Sequence, residues 1–393
     1  MTFFLTMCFV FMVFWRPQDW LVPALFGWPI LDVVVYGAVL CLMIESNAGR
    51  MSFPKRAPQV WLLAGLWVAT LMSHVANTYL QGILDTIPVS FKVCFFTVLL
   101  LSVLDRPSRL RTVARVFVVL TCFMAVHALL QQKTGAGFAG QPPLWVYVAK
   151  HGEFQPRSLF FGIFSDPNDL AQILATSIPF AFGVFRRRTI LNMVVSLGLA
   201  YLLLMGALAT HSRGGYVALA VVTAVLAALV LPVRWFPTLM VCILAGALML
   251  CPLSAGYLDE SAHDRVVFWG MANQAFKANP IFGIGYGMFW QIAQDRASHN
   301  AFVSCYTTLG LFGYWFWFTL LQLGVISAWK TRRAMSRPET VEEAWMKRFS
   351  GLCIAAMAGF SASAYFLTRD FVYPMFFLFA ILGALVVVAQ RLL

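Results

Sequence analysis

Long apolar runs separated by short polar stretches set the plan of this chain. The runs lie near 2–15, 28–45, 59–75, 88–104, 112–130, 168–185, 189–209, 214–231, 237–253, 301–328, 349–368 and 371–390. Each approaches the length that a helix needs to cross a bilayer, about 20 residues, or fewer where snorkelling groups bound it. They predict an all-α polytopic integral membrane protein with about 12 transmembrane helices, or about 11 if the tight join at Arg369-Asp370 is not a true loop. Two polar stretches are much longer than the rest, 131–167 and 254–300. Loops of such length in a compact protein tend to be functional.

Composition agrees with the pattern. The chain is 61% hydrophobic and 11% charged, against roughly 25% charged in a soluble domain. Its net charge of +12 would suggest nucleic acid in a soluble protein. In a membrane protein it reflects the concentration of Lys and Arg in cytoplasmic loops. With the N-terminus inside, the short loops around 50–56, 106–115, 186–188, 234, 330–348 and 391 hold most of the basic residues. Both termini are then cytoplasmic, and the two long loops face outward. The first apolar run lacks a basic leader and a small-residue cleavage site, so no removable signal peptide is expected. All eight cysteines lie in apolar stretches without ligand spacing; they read as small hydrophobes, and no metal site is expected.

The outward-facing arginines run against this charge bias, so each needs a reason. In the first long loop Leu144–Val148 reads as a segment lying along the interface, anchored by Trp145 and Tyr147. Arg157 has no capping role and can reach an anion, while Asp166 and Asn168 stand where a helix begins. Further on, His211-Ser212-Arg213-Gly214-Gly215 joins two apolar runs with almost no loop. An arginine so close to the hydrocarbon is costly unless paired or liganded, and the two glycines permit close approach of a ligand or backbone.

The second long loop carries the richest set. Residues 264–278 predict a short helix, with Val266, Trp269, Asn273 and Phe276 at helical spacing and Arg265 in its first turn. Asp264 sits at its positive end, and Asn279-Pro280 stops it. The run Gly283-Ile284-Gly285-Tyr286-Gly287 lacks the strand of a nucleotide fingerprint and reads as a flexible turn that delivers Ser298-His299-Asn300 to the next apolar run. Ser298 is the expected helix cap. His299 at a helix N-terminus is favoured as a neutral imidazole, the form that accepts a proton from a hydroxyl. Asp166, His263, Asp264 and Asp295 are reserve bases, and His211 is placed to tune the anion site. His74, His127 and His151 have no motif around them and read as structural.

These motifs, in this order, resemble the O-antigen ligase and O-antigen polymerase superfamily of bacterial envelope glycosyltransferases. The resemblance rests on Arg157 with Phe164-Ser165-Asp166-Pro167-Asn168, on Ser212-Arg213-Gly214-Gly215, and on Arg265 with Trp269 and Asn279-Pro280. It continues through the glycine turn and Ser298-His299-Asn300 to Leu309-Gly310-Leu311-Phe312-Gly313. It implies a polytopic inner-membrane enzyme with its active site facing the periplasm. Such an enzyme moves a glycan from undecaprenyl diphosphate to an acceptor hydroxyl, on lipid A core in a ligase or on a growing polysaccharide in a polymerase. The chemistry implied is inverting and independent of metal or cofactor.

Within that resemblance His299 is the expected base, and Arg213, Arg265 and Arg157 bind the diphosphate through their planar forks. Ser212, Gly214, Gly215, Asn300, Asp264 and His211 support them. The domain plan is 1–130 for N-terminal helices, 131–313 for the catalytic core and 314–393 for C-terminal helices. Arg16-Pro17-Gln18-Asp19-Trp20 has no counterpart in the motif. The competing class is a transporter or flippase of lipid-linked oligosaccharide, which calls for two similar halves and midplane charges; this chain shows neither.

Overall fold

A computed structural model describes residues 1–25, 27–49, 54, 57–148, 153–232, 234, 238, 260–293 and 297–392. The helices are α1 (Thr2–Trp15), α2 (Pro17–Trp20), α3 (Ile30–Asn47), α4 (Pro58–Ala76), α5 (Leu80–Val103), α6 (Pro107–Thr134) and α7 (Pro167–Ala181). They continue with α8 (Ile190–Leu208), α9 (Arg213–Ala228), α10 (Glu260–Ala278), α11 (Phe289–Ile292), α12 (Ala301–Ala334), α13 (Val341–Ala364) and α14 (Tyr373–Leu392). Every expected apolar run falls on one of them except 237–253, which apart from residue 238 lies outside the described residues. Among the described residues seven helices are long and apolar enough to cross a membrane, and α1 and α9 are shorter apolar helices. The protein is therefore a multi-pass, mostly helical membrane protein.

The core forms where α7, α13, α12 and α14 pack together, and Phe117, Phe180, Trp317, Trp345, Phe360 and Phe377 are wholly enclosed in it. Apolar side chains on the outer faces stay exposed, among them Trp61, Leu84, Leu191 and Tyr201. That arrangement suits a bundle solvated by lipid, where packing and polar satisfaction hold helices together in place of the hydrophobic effect.

One segment departs from the all-α expectation. Leu144–Val148 is a β-strand, paired antiparallel with Glu153–Arg157 so that Trp145 faces Pro156 and Tyr147 faces Phe154. Its alternation of aliphatic and aromatic residues after Pro142-Pro143 has a period of two, which suits a hairpin. The pairing sets Arg157 at the strand's end, close to the bundle.

The N-terminal Arg16–Trp20 segment, unexplained by motif, braces this same loop. Arg16 adopts a left-handed conformation and pairs with Asp19 at 2.5 Å. Its side chain lies against Gly162, where a Cβ would collide with it. Trp20 stacks on Phe161 and Phe138, with ring centroids 5.2 and 5.8 Å away.

The glycine run between 283 and 287 does something other than supply flexibility. Helix α12 is broken at Gly310, whose backbone (φ 63°, ψ −169°) is accessible to glycine. The 280–285 backbone docks into that break. Ile284 and Gly285 donate to the carbonyls of Thr307 and Thr308, and Leu311 and Phe312 donate to those of Pro280 and Ile281, all at 2.8–3.1 Å. Interrupted backbone at membrane depth is tolerated where protein supplies the missing partners. The approach is so close that a Cβ on Gly283 would lie 2.4 Å from the Thr308 carbonyl carbon, and one on Gly310 2.3 Å from the Ile281 oxygen. The expected flexible turn is thus a backbone plug, also held by Ser73 of α4 and by Asn77 at that helix's C-terminal end.

Candidate active site

Several helix N-termini come together at the loop end of the bundle, each with a side-chain cap. Asp166 caps α7 by accepting from the Asn168 N–H at 2.7 Å. Ser212 caps α9 by accepting from the Gly215 N–H at 3.1 Å. Asn300 caps α12, accepting from the N–H groups of Phe302 and Val303 at 3.0 and 3.2 Å. Asn300, not the expected Ser298, is the cap, because the residue just before Ala301 has the extended backbone a cap requires. These N-termini bring partial positive charge to one place.

Asn168 does more than begin a helix. Its Oδ1 accepts from Ser212 Oγ at 2.7 Å and from Arg157 Nη2 at 3.2 Å. It thereby locks the first loop, α7 and α9 into one unit. Arg157 also donates through Nε to the Thr210 carbonyl at 3.1 Å, so two of its donors serve the structure. Arg213, in the first turn of α9, is exposed and close enough to Arg157 to repel it. Gly215 lets α9 lie on α7, where a Cβ would meet Ala171 Cβ at 2.5 Å, and Gly214 faces Phe366. His211 has a left-handed backbone and is exposed; desolvation lowers its pKa first, and the charge of Arg157 lowers it further.

The other half of the site comes from α10 and the start of α12. The helix predicted for 264–278 starts four residues earlier, at Glu260. Arg265 is half-buried with its guanidinium 6.0 Å above the Phe366 ring. One turn on, Trp269 donates its indole N–H to the Ser298 carbonyl at 2.9 Å. His299 stands before the cap of α12 in a left-handed conformation (φ 50°). Its edge is open to solvent, yet the ring is surrounded closely enough that desolvation lowers its pKa. Arg265 and Arg369 lower it further, while Asp166 and Asp264 act in the opposite direction. A lowered pKa keeps the imidazole neutral at neutral pH. Of the reserve bases, Asp264 and Asp166 share this electrostatic neighbourhood, Asp295 lies outside the described residues, and for His263 only its place in the backbone of α10 is described.

A third contributor is the short connection between α13 and α14, which sequence reasoning passed over. Phe366 lies between Gly214 and Arg265. Thr368 Oγ1 accepts from the His299 N–H at 2.8 Å. Arg369 pairs with Asp169 of α7 through two nitrogens. Asp370 is buried and its carboxyl is pushed up to about 6 by desolvation. The available signal was an Arg-Asp pair set between two apolar runs with no loop to solvate it. Beside this connection a cavity of about 420 Å³ opens between α5 and the Gly162–Ser165 turn. Lys92, Ser165, Arg369 and Tyr373 are among its walls, and Lys92 is paired with Asp32 at 2.7 Å.

Of the three histidines without a motif, the two that are described are both hydrogen-bonded. His74 bonds Thr86 at 2.8 Å, and His127 accepts from the Phe138 N–H at 2.9 Å; His151 lies outside the described residues. The described cysteines, Cys8, Cys41, Cys94, Cys122, Cys305 and Cys353, are free thiols; Cys242 and Cys251 lie outside the described residues.

No curated protein matches the chain. A family model described as O-antigen ligase matches residues 198–318. That stretch includes Arg213, Arg265 and His299, and it leaves out Arg157, Asn168 and the Thr368–Arg369 connection. Residues 198–318 are therefore similar to the O-antigen ligase family, the family that the chain's motifs resemble.

Proposed function

We propose that the protein is a membrane glycosyltransferase that moves a glycan from undecaprenyl diphosphate to an acceptor hydroxyl at the periplasmic face. The observation that carries this reading is one convergence. Arg265 and Arg369 act on His299, a histidine of lowered pKa at the N-terminus of α12, while Arg213 acts on Arg157, and Asp166 at the N-terminus of α7 acts on both Arg157 and His299.

The proposed chemistry follows from charge. As the bond between the anomeric carbon and the diphosphate oxygen breaks, negative charge grows on the leaving diphosphate. Arg213 and Arg265 meet it with forked donors, and the helix N-termini add partial positive charge. Arg157 holds the frame through Thr210 and Asn168 and directs its remaining donors to the same anion. On the other side the neutral His299 imidazole takes the proton of the acceptor hydroxyl as its oxygen attacks the anomeric carbon. Attack opposite the leaving group inverts that carbon, and undecaprenyl diphosphate departs. No metal is needed where arginines meet the charge, so chelators are expected to leave turnover unchanged. The cavity beside Arg369 is of a size that takes a small organic ligand and offers Ser165 and Tyr373 hydroxyls to a sugar.

The test is transfer by purified wild type and His299→Ala from undecaprenyl-diphosphate glycan to lipid A core or to a second lipid-linked glycan. Product on the core assigns a ligase, and a ladder of lengthened glycans assigns a polymerase. Loss of product in His299→Ala is the expected result. Equal turnover by the two proteins would remove His299 from the chemistry, and absence of wild-type transfer to both acceptors would overturn the reading.

A further inference from the structure

The peptide group between Ser298 and His299 is gripped at both polar atoms by side chains from two other elements. Its carbonyl accepts from the Trp269 indole at 2.9 Å, and its N–H donates to Thr368 Oγ1 at 2.8 Å. Thr368 Oγ1 is also 3.1 Å from Ser298 Oγ, which donates to the Asn300 carbonyl at 3.0 Å. One assignment satisfies every group: His299 N–H to Thr368, the Thr368 hydroxyl to Ser298, and the Ser298 hydroxyl to Asn300. Because the peptide is planar, holding both its oxygen and its N–H fixes its orientation.

The held residue is one that needs holding. A non-glycine side chain at φ 50° is strained by roughly 1–3 kcal/mol and persists where its surroundings over-determine it. The two grips also reach the two groups of arginines. Trp269 lies one turn beyond Arg265 on α10. Thr368 is followed by Arg369, whose ion pair with Asp169 anchors the connection to α7 beside Asn168. Asn168 in turn holds Arg157 and, through Ser212, the start of the helix that carries Arg213.

We propose that Thr368 and Trp269 are positioning residues that clamp the Ser298–His299 peptide and aim the imidazole relative to the diphosphate-binding arginines. This rests on His299 acting as the base. Thr368 lies beyond the 198–318 stretch that matches the family model, so its role is read from the contact itself. Neither residue touches the reacting atoms, and their loss acts through His299.

The experiment uses purified full-length Thr368→Val, which keeps the shape and loses the hydroxyl, Thr368→Ser, which restores the hydroxyl, and Trp269→Phe, which keeps a ring and loses the N–H. Misplacing a catalytic group by about 1 Å can cost on the order of 100-fold in rate. Thr368→Val is expected to lower kcat by roughly 10- to 100-fold with the donor KM within about twofold. Thr368→Ser is expected to restore most of it, and Trp269→Phe to resemble Thr368→Val more weakly. In a His299→Ala background Thr368→Val should have no further effect. Acylation of His299 by diethyl pyrocarbonate, followed by mass spectrometry, reads the imidazole without any transfer assay, and its rate should change in Thr368→Val and return in Thr368→Ser.

Wild-type kcat in Thr368→Val would overturn the proposal, as would an equal loss in the Thr368→Val and Thr368→Ser variants. A hydroxyl-dependent acylation rate in a protein that transfers no glycan would keep the clamp and reject the base. An unchanged acylation rate beside normal transfer would reject the clamp and keep the base.

Discussion

The two ends of the bundle use arginine in opposite ways. At the end away from the loops, arginines close off helix C-termini and join neighbouring helices. Arg348 donates to the Phe185 carbonyl at 2.8 Å, Arg115 to that of Val184 at 3.0 Å, Arg332 to that of Leu229 at 3.3 Å and Arg391 to that of Asp105 at 3.0 Å. Arg111 and Arg186 share Glu342. Charge there meets carbonyls at or just beyond helix C-termini, where the backbone contributes partial negative charge. At the loop end, arginines instead gather beside helix N-termini, where the backbone already contributes positive charge. Asp169 pairs with Arg369 and Asp166 acts on Arg157 there, and the proposed diphosphate would add further negative charge beside the same N-termini. On the proposed reading the loop end serves an anionic ligand, whereas the contacts at the opposite end serve stability.

Substitution at the two ends should separate these roles, and the largest effect is expected at the loop end. Arg213→Ala and Arg265→Ala are expected to lower transfer by at least about 100-fold, the scale of losing a donor to developing negative charge. The purified variants should keep the wild-type melting temperature to within a few degrees. Arg213→Lys and Arg265→Lys should remain impaired, since an ammonium provides a point charge without the fork. A lysine variant with full turnover would show that charge alone suffices at that position.

The pH dependence tests the same end. His299 must be neutral to accept a proton, so activity is lost as pH falls through its pKa, about tenfold per pH unit below it. Desolvation and Arg265 set that pKa below the ordinary 6.5, so the acid limb of kcat/KM should lie below pH 6.5. Removing the Arg265 charge relieves one cause of the depression, so in Arg265→Lys, which retains it, the limb should stay low. An acid limb at or above 6.5 in the wild type would contradict the lowered pKa.

The plug at Gly310 affects folding more than charge. Gly310→Ala adds a Cβ 2.3 Å from the Ile281 oxygen at a left-handed position, a combined penalty of about 2–4 kcal/mol. We expect a lower yield of folded protein, a lower melting temperature and a loss of activity in proportion to the folded protein lost. A stable Gly310→Ala protein would mean that the 280–285 backbone can leave the break without cost.

How legible this was from sequence depends on the range of the interaction. Apolar runs set helix positions locally, so Pro58–Ala76, Ile190–Leu208 and Tyr373–Leu392 fall where hydropathy placed them. Arg213, Arg265 and His299 could be singled out in the sequence because each breaks a local rule, a charge or a polar turn at the edge of an apolar run. Asn168 was read as a cap because cap patterns are local, while its bonds to Arg157 and Ser212 depend on two other elements. Thr368 is marked only by the Arg369-Asp370 pair that follows it, and its hydroxyl matters because the fold brings it to residue 299. The glycine run was misread for the same reason, since its partner, the break at Gly310, is remote in the chain.

The smallest predicted effects lie within the stabilising end and divide two arginines that share one carboxylate. Arg111 is nearly buried, bonds Glu342 through Nη2 at 3.2 Å and lies over the Trp345 ring at 5.1 Å. Arg186 meets the same Glu342 at 3.0 Å but is about half exposed. Exposed pairs contribute about 0–1 kcal/mol, whereas a nearly buried arginine that also covers an aromatic ring contributes more through packing. Arg111→Ala should therefore lower the melting temperature measurably and Arg186→Ala by at most a degree or two, as read by thermal unfolding in detergent. Both variants should transfer glycan at the wild-type rate per folded molecule, because neither lies at the loop end. A large loss of turnover in Arg186→Ala with unchanged stability would mean that the two ends are coupled, and the division of arginines between them would fail.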